Sequence, residues 1–347
     1  MNVKVVFRIS FLFFAVLLIS ACRTGRESGL IIEKPALAVF TDSLESSAAI
    51  IKYDADHLFD QISGRDIEIQ MKRTSSFSDR DAALTAYKDF LRSQVSDWTT
   101  EEKSAILNLL TETKRLCDRY SPRLFPQGLR FIKIKTGHYG GDVFYTRGRN
   151  ICIPENIFPM EDSSRYLPIM IHEVFHVISR YSPSLRDDLY RLIGFERSTK
   201  PIKASENLKE WLLTNPDGVA HKHFLKVKVK DSTYLIVPAI TAKLKNFRPS
   251  QPAFFDYLAF DLYKLTAHPS YYEITSDTLG KTTLPMEASA GFFDAIKDNT
   301  QYIIHPEEII ADNFMLGLLA GDKNEYSKFS PTGKQLIEKL LERLAKE

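Results

Sequence analysis

The sequence predicts an α+β fold, rich in helix, with a small mixed sheet and an inserted β-hairpin region. Three observations lead there. Apolar residues recur at helical spacing in several segments; short β-type runs punctuated by glycine lie between them; and one stretch alternates Leu and Val with Lys. The order α, β, α and then mixed elements differs from a regular βαβ alternation. The 347 residues are 44% hydrophobic and 26% charged, with a net charge of +2. That composition excludes a disordered, collagen-like or polytopic membrane chain. Near-neutral charge gives no electrostatic case for nucleic acid, so no nucleic-acid partner is expected. Three cysteines are too few for a disulfide scaffold.

Residues 1–21 have the pattern of a signal peptide. Lys4 and Arg8 form a basic start, and Ile9 to Ile19 is apolar except for Ser10. That stretch is short for a membrane span, which needs about 20 apolar residues. Ile19-Ser20-Ala21-Cys22 resembles the lipobox of bacterial lipoproteins. The resemblance implies cleavage before Cys22, a diacylglycerol on its sulfur and an acylated amine, hence a stable membrane anchor in a bacterial cell envelope. Arg23 follows where an Asp would favour the inner membrane, which leans the expectation to the outer membrane. Residues 22–35 read as a tether and 36–347 as the body. Outside the cytoplasm, Cys117 and Cys152 are either a disulfide or two buried thiols.

Within the body, residues 79–95 carry apolar side chains at helical spacing. A second helix starts after Trp98, where Thr99 and Glu102 have capping-box spacing. Strands are expected at 130–135, 142–145 and 150–153. Helices follow at 164–180 and 184–193. Phe224–Val229 sets Leu225, Val227 and Val229 against Lys226, Lys228 and Lys230, a half-buried strand that turns into 233–237. Helices are expected again at 254–266, 287–298, 306–320 and 332–345.

Chemistry is concentrated in His172-Glu173-Val174-Phe175-His176, an HExxH motif. On a helix, positions i and i+4 share a face, so both imidazoles reach one metal ion. Glu173 lies beside them as general base for a water activated by a single catalytic Zn2+. The surrounding Leu167–Ile178 is densely apolar. Burying two histidines and a carboxylate there unpaired would cost several kcal/mol, a penalty a metal removes.

A catalytic zinc normally takes three protein ligands. Glu196 and Glu308 are the candidates for the third place. The chain here resembles the zincin metallopeptidases, in particular the gluzincin branch, in which a second helix reading ExxxD supplies a glutamate ligand. Glu308-Ile309-Ile310-Ala311-Asp312 matches that pattern. The resemblance implies a zincin-like domain in which Asp312 hydrogen-bonds a ligand histidine. Glu308 is the expected ligand, because Glu308 and Asp312 face the same way and Pro306 suits a first helical turn. Glu196, in a polar stretch after Gly194, is the alternative. Glu307 should point about 100° away from its neighbour, as first-turn charge complementing the helix dipole.

For an oxyanion donor the candidates are His305 first, then Tyr302, Tyr145 and Arg147. The strand at 142–145 is the candidate edge for a substrate backbone. His221 and His223 form an H-x-H pair, read as a solvated strand start or a second metal site. Asn215-Pro216-Asp217-Gly218 reads as a turn, with too few carboxylates to argue a calcium loop. The expectation is therefore a lipid-anchored zinc metallopeptidase acting on a peptide or protein substrate. The alternatives are a non-catalytic zincin-fold lipoprotein acting in binding or envelope assembly, and a zinc hydrolase of a non-peptide amide or ester.

Overall fold

The computed structural model describes residues 37–52 and 56–347. The expected signal segment 1–21, Cys22 and the tether to residue 35 lie outside the described residues. No helix among the described residues is long and apolar enough to cross a membrane.

The body is a mixed α+β fold with two sheets where one was expected. The first contains β1 (Ala38–Phe40), β2 (Val95–Ser96), β3 (Leu129–Ile134), β4 (Tyr145–Arg147) and β5 (Asn150–Pro154). Its order is β1-β3-β5-β4, with β2 also on β3. β3 pairs parallel with β1 and β5, and β4 pairs antiparallel with β5 as the outer strand. The second contains β6 (Phe195–Arg197), β7 (Ile202–Ala204), β8 (His223–Val229), β9 (Ser232–Ala242), β10 (Leu258–Ala267) and β11 (Tyr272–Ile274), in the order β6-β8-β9-β10-β11-β7. The expected hairpin is β8–β9, closed with Val229 opposite Ser232 and with Lys230 at φ +53°.

The helices are α1 (Ser43–Ile50), α2 (Leu58–Gln61), α3 (Gly64–Gln70), α4 (Arg80–Ser93), α5 (Thr100–Asp118), α6 (Ser163–Tyr181), α7 (Pro183–Leu192), α8 (Glu206–Lys209), α9 (Glu287–Ile296), α10 (Pro306–Lys323) and α11 (Pro331–Leu344). Local chemistry sets their ends. Asp79 caps α4 by accepting from Ala82 N–H, and Thr99 and Glu102 close the capping box of α5.

Two expectations fail. Residues 254–266 are not a helix: a 3-10 turn at Phe254–Tyr257 leads into β10. Tyr263 and Leu265 pack in one cluster with Val237 and Ala239, while Leu262 and Phe260 join another with Phe292. Apolar side chains point to both faces, and the two charged residues, Asp261 and Lys264, fall on opposite faces, so neither side reads as polar and the strand period is hidden. The strand expected at 142–145 lies later, at Tyr145–Arg147, because Asp142 takes φ +60° in a turn.

Helix α6 lies at the centre. Its Met170, Ile171, Val174, Phe175 and Ile178 are buried in the main cluster with Ile309, Ile310, Phe314 and Leu318 of α10. Phe175 and Phe314 meet with ring centroids 5.2 Å apart. Each such side chain contributes about 1.5–3 kcal/mol when fully buried. This apolar seam fixes α6 against α10, and so fixes the polar residues on the same two helices.

Candidate metal centre

His172 and His176, one turn apart on α6, present rings whose centroids are 4.7 Å apart. Glu308, on the first turn of α10, reaches across to both. Its Oε2 lies 2.9 Å from His172 Nε2 and 3.5 Å from His176 Nε2. Two atoms bound at about 2.0–2.1 Å to one tetrahedral ion would stand about 3.3 Å apart, so these separations suit a shared cation. His176 is fully buried, and its Nε2 has no hydrogen-bond partner among the described residues. Such an orphan costs about 1–3 kcal/mol unless something binds it.

The other ring nitrogens are held. His172 Nδ1 lies 2.9 Å from Asp312 Oδ1, and Asp312 also accepts from the Thr300 hydroxyl. His176 Nδ1 lies 2.9 Å from Glu307 Oε1, and Glu307 also accepts from the hydroxyls of Ser179 and Tyr190. Fixing Nδ1 by a carboxylate turns each Nε2 towards the centre. Glu307 is thus more than first-turn charge: it is buried and orients His176. Its 100° offset from Glu308 points it at the second histidine rather than at solvent.

Two residues that the sequence marked only as a turn also join the site. Asn215 donates from Nδ2 to Glu308 Oε1. Asp217 accepts from Thr146 N–H at 2.6 Å and is buried. The potential ligand atoms of His176, Asp217 and Glu308 lie within 4.8 Å of one another, as do those of His172, Glu173 and His176. Glu173 accepts from the Thr146 hydroxyl at 2.9 Å through Oε2. In sequence, the carboxylate at 217 is 41 residues beyond the motif, in a segment whose Pro and Gly signal only a bend.

Glu173, Asp217, Glu307 and Glu308 bury their carboxylates around two imidazoles, an excess of negative charge that calls for a cation. Without one, protons take the role. Burial disfavours the charged ring of His172, but hydrogen bonds to Asp312 and Glu308 outweigh it and hold its pKa at about 9. For His176, burial is likewise outweighed, by the charges of Asp217 and Glu308 and the bond to Glu307. Burial raises Asp217 to about 8 against the pull of His176, and raises Glu173. Glu308 sits well below the usual carboxylate range: the two histidines overcome its burial.

The remaining candidates separate cleanly. Glu196 is on β6, half exposed, with Lys226 Nζ 3.8 Å away. His305 does not line the cleft above His172; it caps α10, its Nδ1 accepting from Glu307 N–H at 3.1 Å. Burial and neighbouring His221 push its pKa down to about 4, which suits a neutral acceptor. Tyr145 is buried with its hydroxyl 3.1 Å from His138 Nε2, and the guanidinium of Arg147 lies over the Phe59 ring. Tyr302 alone of the four donor candidates lines the cleft, its ring stacked on His172 at 6.0 Å. His221 and His223 bond instead to Pro238 O and Asp187. Cys117 and Cys152 are buried free thiols.

The cleft has a volume of about 390 Å³ and carries His172, Glu173, Asp217, Glu308 and Asp312 with Tyr302. Apolar walls come from Val143, Phe144, Ile169, Phe255 and Met315. Compared with protein-family models, curated proteins and solved structures, the chain matches none.

Proposed function

We propose that the chain is a zinc-dependent metallopeptidase of zincin type. One observation carries the reading: Glu308 Oε2 converges on both Nε2 atoms of the HExxH helix, with Glu173 beside them at an open cleft. His172, His176 and Glu308 would hold the ion, and Asp312 and Glu307 keep the rings aimed at it. Once bound, zinc would supply a Lewis acid for the scissile carbonyl and a more acidic water.

The chain's own groups do the rest. Glu173 Oε2 is engaged by Thr146, which leaves Oε1 to take a proton from water and pass it to the leaving nitrogen. Burial raises the Glu173 pKa, strengthening it as a base. The Tyr302 phenol, kept protonated by desolvation and by the carboxylates of Glu308 and Asp217, donates to the developing oxyanion. The apolar walls seat a substrate side chain and exclude water.

The test has two arms. Purified protein should hold about one zinc, and His172→Ala should lose it. Glu173→Gln should keep the metal and lose peptide hydrolysis by about 10²–10⁴-fold. Equal activity in both metal-loaded proteins would defeat the catalytic role of Glu173, and no hydrolysis in either would leave a non-catalytic zincin-fold lipoprotein. Loss of esterase or amidase activity alone would point to a non-peptide substrate.

A further inference from the structure

The segment from Leu213 to Val219 contains buried residues at every position except Pro216 and Gly218. It is pinned along its length. Leu213 N–H donates to Ile240 O at 3.0 Å, and Thr214 N–H and hydroxyl both donate to Asp66 at 2.6 Å. Asn215 holds Glu308, and Arg180 donates to Asp217 O at 3.3 Å. At Gly218 a Cβ would stand 2.4 Å from His305 Nδ1, so only glycine lets the backbone pass this close to the cap of α10.

The result is a carboxylate delivered to the candidate metal centre from outside both motif helices. Asp217 Oδ1 is fixed by Thr146 N–H, while Oδ2 makes no hydrogen bond among the described residues. A ligand atom of Asp217 lies within 4.8 Å of ligand atoms of His176 and Glu308, and His176 is the residue whose Nε2 is orphaned. The Thr146 contact has a second meaning. β4 is the outer strand, and this N–H points away from β5, along the edge where an extended peptide would add.

We propose that Asp217 is a fourth protein ligand to the metal and an internal competitor for the position an external ligand must take. The proposal rests on the metallopeptidase reading above. One side chain then guards two things, a coordination place and a backbone donor of β4. A substrate that pairs with β4 and presents its carbonyl to the ion displaces Asp217 from both.

The test uses cobalt-substituted protein, with visible absorption as the readout and acetohydroxamate, a small anionic chelator of metal centres, as the probe. Asp217→Asn keeps an oxygen for Thr146 N–H and so protects the fold; Asp217→Ala removes it. The wild-type spectrum should change on Asp217→Asn, acetohydroxamate should bind the variant about tenfold or more tightly, and cobalt should be lost to a competing chelator about tenfold or more readily. Unchanged spectrum, probe affinity and cobalt retention in a folded Asp217→Asn protein would overturn the proposal while leaving the metal site intact. Failure of wild type to take up cobalt beyond His172→Ala would instead overturn the metallopeptidase reading, and this proposal with it.

Discussion

At the scale of single residues, the site is a set of buried carboxylates sharing two imidazoles, and in the proposed metal centre protons and an ion would compete for the same nitrogens. His172 has a pKa of about 9 in the metal-free protein, raised over its ordinary value by Asp312 and Glu308 against burial. Below that pH its ring is protonated, and an ion must displace the proton from Nε2. With His176 raised as well, metal affinity should therefore fall by at least about tenfold per pH unit from pH 9 down towards pH 7. Competition with a chelator of known pH behaviour would measure it, and a flat profile would contradict the assignment of His172 as ligand. Among these residues the sequence was uneven as a guide. His172, Glu173 and His176 are readable because the spacing is short and lies on one helix; Glu308 and Asp312 because they repeat that i, i+4 logic. Glu307 was not, since its partners Ser179 and Tyr190 come from α6 and α7 and only the packed helices bring them together.

At the scale of elements, the helix α3 and the segment after α8 are joined by Asp66, which accepts both donors of Thr214 and a further bond from Gln70. Burial raises the Asp66 pKa from 3.8 to about 6, against those bonds. The sign follows. The folded state binds a proton more tightly than the unfolded chain, so this contribution is complete below about pH 4 and is lost as pH rises through 6. The shift corresponds to about 3 kcal/mol as an order of magnitude. Asp66→Asn should remove most of that slope, so that denaturant midpoints of wild type and variant diverge between pH 4 and pH 7; parallel profiles would count against it. Elements with one wet face were legible: α4 and α5 in their periodicity and caps, and the β8–β9 hairpin in its lysines. β10 was not, because apolar residues on both sides and one charged residue on each left no polar face to separate strand from helix.

At the scale of the whole molecule, the α+β class was legible from element order, but the division into two sheets was not. Short strands such as β6, β7 and β11 have too few residues to show a period, and they are defined by the long β8–β9–β10 meander they flank. The proposed lipid tether belongs here as well. Cys22 would carry the acyl chains and hold the body at a membrane surface, the outer membrane being favoured by Arg23. Cys22→Ala should move the protein from the membrane fraction to the soluble fraction on cell fractionation. Retention in the membrane fraction would show that something other than this cysteine anchors it.

The bond from His172 to Glu308 spans 136 residues, and every strand of the second sheet lies within that span. An ion clasped between α6 and α10 would therefore tie shut a loop holding more than a third of the chain, at an entropic gain that grows only slowly with loop length. If the proposed ion is held there, stripping it would be felt as slackening throughout that loop, and a chelating agent would act as a partial denaturant as well as an inhibitor of the proposed peptidase.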